Sequence, residues 1–192
     1  MKKRTVVLLA SAMMILGVGI GGSLAWLLDE TETVTNTFTT SDIEITLTES
    51  ANLDLKMVPG KTITKDPKVT VKATSEKCYV FVEIAKSVNY STYLDEYEIA
   101  DGWEKVALTD HENDVYYRVV DDVNVDQEFQ VLKDNKVVVN TSVTKEQMNA
   151  LDKEGATAPT LTFTAYAIQY DYLTETEIAK IWELANLSST TE

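Results

Sequence analysis

The 192-residue sequence contains one histidine and one cysteine, and these two residues limit the chemistry that the chain can perform. A catalytic zinc site draws on two or three histidines, so we expect His111, in the polar segment 109–114, to be a solvated loop residue. Cys78 alternates with Val80 and Val82, which predicts a buried, unreactive thiol. No serine has a G-x-S-x-G motif or a partner base. The sequence therefore predicts no catalytic residue, no cofactor and no enzymatic activity.

Residues 122–126 begin like a calcium-binding loop, with the pattern D-x-N-x-D. The sixth position is Gln127 rather than glycine, and the twelfth is Lys133 rather than glutamate, so the motif is incomplete. We predict no dedicated metal site. Weak calcium binding by the carboxylates of Asp121, Asp122 and Asp126 stays open as an alternative.

Tyrosines are the other residues with the means to form a binding surface, because aromatic rings are able to carry a sugar. Strands use tyrosine routinely, so a glycan platform is the weaker interpretation. The tyrosines concerned are Tyr79, Tyr90, Tyr93, Tyr97, Tyr116 and Tyr117.

The chain is strongly acidic, with 31 acidic and 17 basic residues and a formal charge of −14. Binding to nucleic acid by phosphate neutralisation needs clustered cations, so we predict no nucleic-acid partner. Hydrophobic residues make up 44% of the chain and charged residues 25%, which is typical of a globular protein rather than a disordered one.

The first 28 residues have the layout of a secretory signal. Lys2, Lys3 and Arg4 precede an uncharged run over residues 5–28, and small residues at Ser23 and Ala25 predict cleavage between Ala25 and Trp26. A membrane span is the rival interpretation, since the run reaches the roughly 20 residues that cross a bilayer. Glycines at 17–22 interrupt the run and favour a cleaved signal, so we expect membrane contact only through the uncleaved form. Cleavage removes three basic residues and no acidic one, which changes the formal charge from −14 to −17.

Alternating apolar residues, the pattern of half-buried strands, dominate the rest of the chain. Ile43, Ile45 and Leu47 share one face, whereas Val34 and Phe38 fall on the opposite parity, so a turn or bulge is expected at 40–42. This break separates an N-terminal strand segment, residues 26–40, from a domain at 41–192. Further strands are predicted around Ile63 and over 69–71, 78–84, 115–120, 129–132, 137–139 and 160–170.

Turn and helix signals complete the predicted fold. Asp134 and Asn135 are expected to close a hairpin between 129–132 and 137–139. A capping box at Thr144 predicts one short helix, and another at Thr174 predicts a C-terminal helix over 174–187 whose apolar stripe packs on the sheet. The fold class is mainly β: an antiparallel β-sandwich of jelly-roll or Ig-like type with one or two short helices.

Three stretches of the sequence resemble a known family. Residues 22–30 (GSLAWLLDE), 36–40 (NTFTT) and 42–49 (DIEITLTE) resemble the start of proteins processed by the SipW-type signal peptidase. These form the TasA, camelysin and spore-coat CotN family of Gram-positive bacteria. Residues 58–66 are similar to the family's P-G turn, and residues 161–169 are similar to its final strand. The resemblance covers residues 1–72 and 160–170.

The resemblance implies a secreted subunit of biofilm-matrix fibres, located in the extracellular matrix or on the cell surface. The implied partners are other copies of the chain in a homopolymer, the SipW-type peptidase and a fibre-anchoring accessory protein. In such fibres the freshly exposed N-terminal strand of one subunit completes the sheet of the next.

The residues themselves supply a suitable strand at 32–40, with Val34 and Phe38 as pocket fillers. A strand given head to tail makes a heterologous contact and propagates into a filament. Three alternatives stay open. Residues 32–40 pair within their own subunit, the protein is a surface adhesion or ligand-binding module that uses residues 90–103, or it has a camelysin-like metalloprotease activity. The last is disfavoured by the single histidine.

Overall fold

A computed structural model describes residues 36–37, 43–50, 57–121, 124–171 and 173–188 of the chain. Within these ranges the protein is mainly β, with antiparallel sheets and three α-helices. The strands are β1 Asn36–Thr37, β2 Glu44–Thr48, β3 Thr62–Thr64, β4 Lys68–Val71, β5 Cys78–Lys86, β6 Glu104–Lys105, β7 Asp114–Val120, β8 Gln127–Gln130, β9 Lys136–Val138 and β10 Leu161–Gln169. The helices are α1 Tyr90–Tyr93, α2 Lys145–Leu151 and α3 Ile178–Ser188. In this part of the chain, no helix is both long and apolar enough to cross a membrane.

The strands of the described residues form three antiparallel sheets. One has the order β1-β2-β4-β8 and is called the β2 sheet; a second has the order β10-β5-β7-β6 and is called the β5 sheet. Strands β3 and β9 pair separately. The long β5 pairs along its whole length with β10, from Cys78 opposite Gln169 to Lys86 opposite Leu161. Its central position makes β5 the strand around which the second sheet is organised.

Alternation in the sequence correctly predicts which residues are buried. Ile43, Ile45 and Leu47 are between 1% and 4% exposed, while Glu44 and Thr48 are exposed. Strand β5 is buried on both faces, because Val80 and Val82 join one hydrophobic cluster and Phe81 joins another. The period of two therefore assigns the residues of β5 to two different cores.

The larger core combines residues of the β2 and β5 sheets. It includes Ile45 and Leu47 of β2, Val69 of β4, Val82 of β5 and Phe163 of β10. The smaller core lies on the opposite face of the β5 sheet, where Phe81 and Tyr166 meet Ile181 and Trp182 of α3. The predicted packing of the C-terminal helix on a sheet is confirmed.

Two of the helix predictions have different outcomes. The capping box of α2 is confirmed, because Gln147 N donates to Thr144 Oγ1 at 3.2 Å and Thr144 N donates to Gln147 Oε1 at 2.7 Å. Helix α3 begins at Ile178, so the predicted start at Thr174 is wrong. The Glu175 carboxylate accepts the backbone N–H groups of Thr176 and Glu177, the two residues directly before the helix. The one-turn helix α1 was not predicted.

The predicted hairpin at Asp134–Asn135 is half right. Both residues have positive φ, 55° and 50°, as in the tight turn that was expected. The strands on either side do not pair with each other, since β8 joins β4 and β9 joins β3. The buried Val131 and Leu132 lie between β8 and the turn, and Val131 N donates to Pro67 O. This connection separates the two strands into different sheets.

Candidate functional site

The outer edge of β2 is the place where the N-terminal segment meets the rest of the protein. Strand β1 pairs with only the first two residues of β2: Asn36 lies opposite Ile45, and Thr37 lies opposite Glu44. On its other side β2 pairs with β4 along four residues, from Ile45 opposite Val71 to Thr48 opposite Lys68. The described part of β1 therefore covers less than half of the edge.

Backbone geometry shows which groups this edge presents. Lys72 N donates to Glu44 O at 2.9 Å, and Glu44 N donates to Ser75 Oγ at 3.2 Å, so Glu44 directs its backbone groups toward β4. Successive residues of an antiparallel strand alternate in this direction, so Ile45 and Leu47 direct theirs toward the outer edge. Ile45 lies opposite Asn36; no residue in the described ranges lies opposite Leu47 on that side.

The residues that the sequence assigned to signal cleavage and strand donation lie in the part of the chain that the structure does not describe. Ala25, Trp26, Val34 and Phe38 lie outside the described residues. Strand β1 lies between Val34 and Phe38 in the sequence. It pairs with β2 of the same chain, so for Asn36 and Thr37 the structure matches the alternative in which the segment pairs within its own subunit.

A polar cluster that the sequence did not suggest lies around Glu83 of β5. Its Oε1 accepts from Asn113 Nδ2 at 2.8 Å and lies 3.1 Å from His111 Nε2, and its Oε2 accepts from Tyr166 OH at 3.2 Å. The His111 ring also lies edge-on to Trp182, with ring centroids 6.1 Å apart. The prediction that His111 is an exposed loop residue is confirmed, and its ring also contacts a carboxylate, which the sequence did not indicate.

Cys78 has the surroundings that its pattern predicted. It is fully buried on β5, and this burial raises the pKa of its thiol to about 12. Since the thiolate is the reactive form, Cys78 is poorly suited to act as a nucleophile.

Two acidic residues of the incomplete calcium loop, Asp121 and Asp126, pair with lysines. Asp126 accepts from Ala73 N at 2.8 Å and binds Lys72 Nζ at 2.9 Å, which together lower the pKa of its carboxyl group. Asp121 lies 3.0 Å from Lys77 Nζ, and Asp122 is outside the described residues. Among the residues that the structure describes, no three His, Cys, Asp or Glu side chains are grouped to hold a metal ion.

The six candidate tyrosines do not form one surface. Tyr90 and Tyr93 are buried in the larger core, and Tyr97 and Tyr116 pack against it. Tyr79 and Tyr117 lie on the other face of the β5 sheet, with ring centroids 6.5 Å apart. Tyr90, Tyr93 and Trp103 are at most 8% exposed, so these aromatic residues of segment 90–103 serve the core rather than the surface.

A polar cavity of about 220 Å³ lies at the end of β2. Next to it, Glu49 forms an ion pair with the buried Lys65 at 2.8 Å. The lining contains two carboxylates, one ammonium group and four neutral polar side chains, so it does not select a single charge. The lining residues are Thr48, Glu49, Ser50, Asp66, Lys68, Gln130 and Asn135.

Comparisons of the chain with protein-family models, with curated proteins and with solved structures gave no match.

Proposed function

We propose that this protein is a secreted structural subunit of the TasA and camelysin type, which assembles into extracellular matrix or surface fibres after its signal is cleaved. In this proposal the N-terminal strand of one copy adds to the outer edge of β2 in the next. The observation that carries the proposal is the register of β1 on β2, with Asn36 opposite Ile45 and Thr37 opposite Glu44.

Continuation of this register predicts the neighbours of the two proposed pocket fillers. Val34 then lies opposite Leu47, and Phe38 lies opposite Ile43. Residues directly opposite each other in an antiparallel pair point to the same face of the sheet. Ile43 and Leu47 are 4% and 1% exposed, so Val34 and Phe38 would extend the larger core. A strand that adds apolar side chains to a core contributes more affinity than its backbone hydrogen bonds alone.

The same contacts are available within one copy and between two copies. Residues 38–43 link the two strands, and opening of this link lets β1 take the identical place on a neighbour, as in domain swapping. Pairing within the copy and pairing between copies then differ mainly in the strain of the link and in protein concentration. A fibre forms because each copy accepts one strand and gives one.

The finer fold assignment belongs to the same proposal. We propose that the β2 and β5 sheets pack face to face as a sandwich of jelly-roll or Ig-like type. The shared core of Ile45, Leu47, Val69, Val82 and Phe163 supports this arrangement, because it combines side chains of both sheets.

Electron microscopy of two forms of the protein tests strand addition. The form that begins at Trp26 is expected to give filaments, whereas the form that begins at Ser41 lacks the strand and is expected to give none. Equal filaments from both forms, or none from the longer form, would contradict the proposal. Chromatography of the shorter form shows whether it remains folded and monomeric.

A second variant separates pairing between copies from pairing within a copy. Deletion of Ser41 and Asp42 leaves Thr39 and Thr40 to form a two-residue hairpin, which requires positive φ angles that β-branched residues avoid. Pairing within the copy is then disfavoured, while pairing between copies is unaffected. Filaments should form at lower protein concentration than in the parent. A control that replaces Ser41 and Asp42 by two glycines keeps the length and should not show this gain.

A further inference from the structure

Arg118 is the only arginine that follows Arg4 in the sequence; every other basic residue after position 4 is a lysine. It lies on β7 opposite Val80, whose side chain is fully buried in the larger core. Because opposite residues share a face, Arg118 starts on the core side of the β5 sheet and extends toward β8 of the β2 sheet.

Two aromatic rings hold the guanidinium. Its central carbon lies 3.7 Å from the ring centre of Phe129 and 5.2 Å from that of Trp103. Trp103 is itself fixed, since its Nε1 donates to Gln130 O at 2.8 Å. Gly102 has φ +86°, a backbone conformation that favours glycine, and a Cβ there would lie 3.0 Å from Arg118 Nη2. Planar stacking of this kind suits arginine and not lysine.

The Arg118 guanidinium has no anionic partner among the residues that the structure describes, although it is partly removed from water. Its Nε is buried and has no hydrogen-bond partner, and no carboxylate of the described chain forms an ion pair with it. Burial lowers the pKa of Arg118, which reflects the cost of removing the charge from water. Most described lysines do have acidic partners, namely those at 65, 68, 72, 77, 86, 105, 133, 136 and 180. Among the residues that the structure describes, a half-buried cation without an acidic partner is therefore exceptional.

We propose that Arg118, Trp103 and Phe129 form a carboxylate-binding site that is filled by an acidic side chain of a second copy of the chain. A guanidinium fixed in one plane binds a carboxylate through two parallel hydrogen bonds. A second copy supplies such groups in excess, because it carries 31 acidic residues. The site adjoins β8, at the edge of the β2 sheet opposite to β1. It is therefore independent of strand addition and provides a contact between neighbouring copies or fibres.

Nuclear magnetic resonance measures this binding directly. The ¹⁵N-labelled protein is used with its N-terminus as the producing cell processes it. Its concentration stays below the level at which light scattering detects filaments. Unlabelled copies, hexaglutamate peptide and inorganic phosphate are added in separate titrations. Unlabelled copies and hexaglutamate are both expected to shift the Nε–H signal of Arg118 and the indole N–H signal of Trp103.

Two variants identify the group responsible. Arg118→Lys keeps the charge but loses the planar fork, so the Trp103 shift should require roughly tenfold more ligand, a loss of about 1.4 kcal/mol. Lys133→Gln removes a charge from the surface pair with Glu98 and should leave the shift unchanged. Shifts caused by phosphate alone, by hexaglutamate but not by copies, or by none of the three additions would each overturn the proposal. An Arg118→Lys titration identical to that of the parent would also overturn it.

Discussion

A single carboxylate, Glu83, joins three parts of the chain on a largely apolar face of the β5 sheet. It binds Asn113 and His111 of the loop before β7, and it also binds Tyr166 of β10. These partners are 28, 30 and 83 residues away along the chain. No short motif marks such a group, so the sequence offered no signal for it beyond a charged residue at an outward position of a strand. The cluster fixes the loop beneath α3 and has no nucleophile among its described contacts.

Tyr166 makes this cluster sensitive to alkaline pH. Burial, and secondarily the charge and hydrogen bond of Glu83, raise the pKa of Tyr166 to about 12, from about 10 for a free tyrosine. As pH rises, the unfolded chain loses this proton first, so it binds fewer protons than the folded chain between about pH 10 and 12. The contribution of Tyr166 to the free energy of unfolding is therefore fully present below about pH 10, and it is lost as pH rises toward 12.

The variant Tyr166→Phe removes this contribution. Its unfolding free energy, measured in urea at several pH values, should decline less steeply than that of the parent between about pH 10 and 12. The slopes should differ by at most about 1.4 kcal/mol per pH unit, which is the limit for one titrating group. Part of the decline should remain, because Tyr117 bonds to Glu104 and its pKa is also raised to about 12. Parallel curves for the two proteins would show that Tyr166 has no such role.

Helix α3 covers the smaller core on the outer face of the β5 sheet. Trp182 is 2% exposed and packs at 5.5 Å from Phe81 and 4.9 Å from Tyr166, measured between ring centroids. The 3.6-residue period of Ile178, Ile181, Trp182 and Ala185 predicts this contact face. It does not predict where the helix begins, because the Glu175 carboxylate binds the N–H groups of Thr176 and Glu177 in the segment before the helix.

Loss of the Trp182 side chain should separate the helix from the sheet. Trp182→Ala is expected to lower the unfolding free energy by about 3–5 kcal/mol, as for other large aromatic residues in a core. Leu187→Ala provides a matched control on the same helix, since Leu187 is 67% exposed and should change stability by at most about 0.5 kcal/mol. Urea denaturation followed by circular dichroism gives both values. Equal effects of the two substitutions would show that α3 does not depend on its contact with the sheet.

Charge acts on the whole molecule, because every copy carries a formal charge of −14, or −17 without the first 25 residues. Copies of this protein repel one another over distances set by the ionic strength. Assembly therefore needs directed contacts, which the β2 edge and the Arg118 site are proposed to supply. The two contacts respond differently to salt, since strand pairing relies on backbone hydrogen bonds and core packing, while the Arg118 contact is an ion pair.

Filament formation should therefore strengthen as salt is added. Raising the ionic strength from about 0.01 M to about 0.5 M shortens the screening length from roughly 30 Å to below 10 Å and removes most of the repulsion. Light scattering and electron microscopy of the form beginning at Trp26 should show more filaments at the higher value. A decrease with salt would mean that ion pairs, rather than strand addition, hold the filaments together.

Local patterns in the sequence determined the mainly β, antiparallel class, the buried faces of β2, β5 and β10, the inert surroundings of Cys78 and the cap of α2. These features depend on residues close together in the chain, where alternation and capping rules apply directly. The tertiary structure alone decided that β8 and β9 join different sheets, that His111 contacts Glu83 and that Arg118 contacts two aromatic rings. Such features depend on partners far apart in the sequence, which are brought together only when sheets and helix bury their apolar faces against one another.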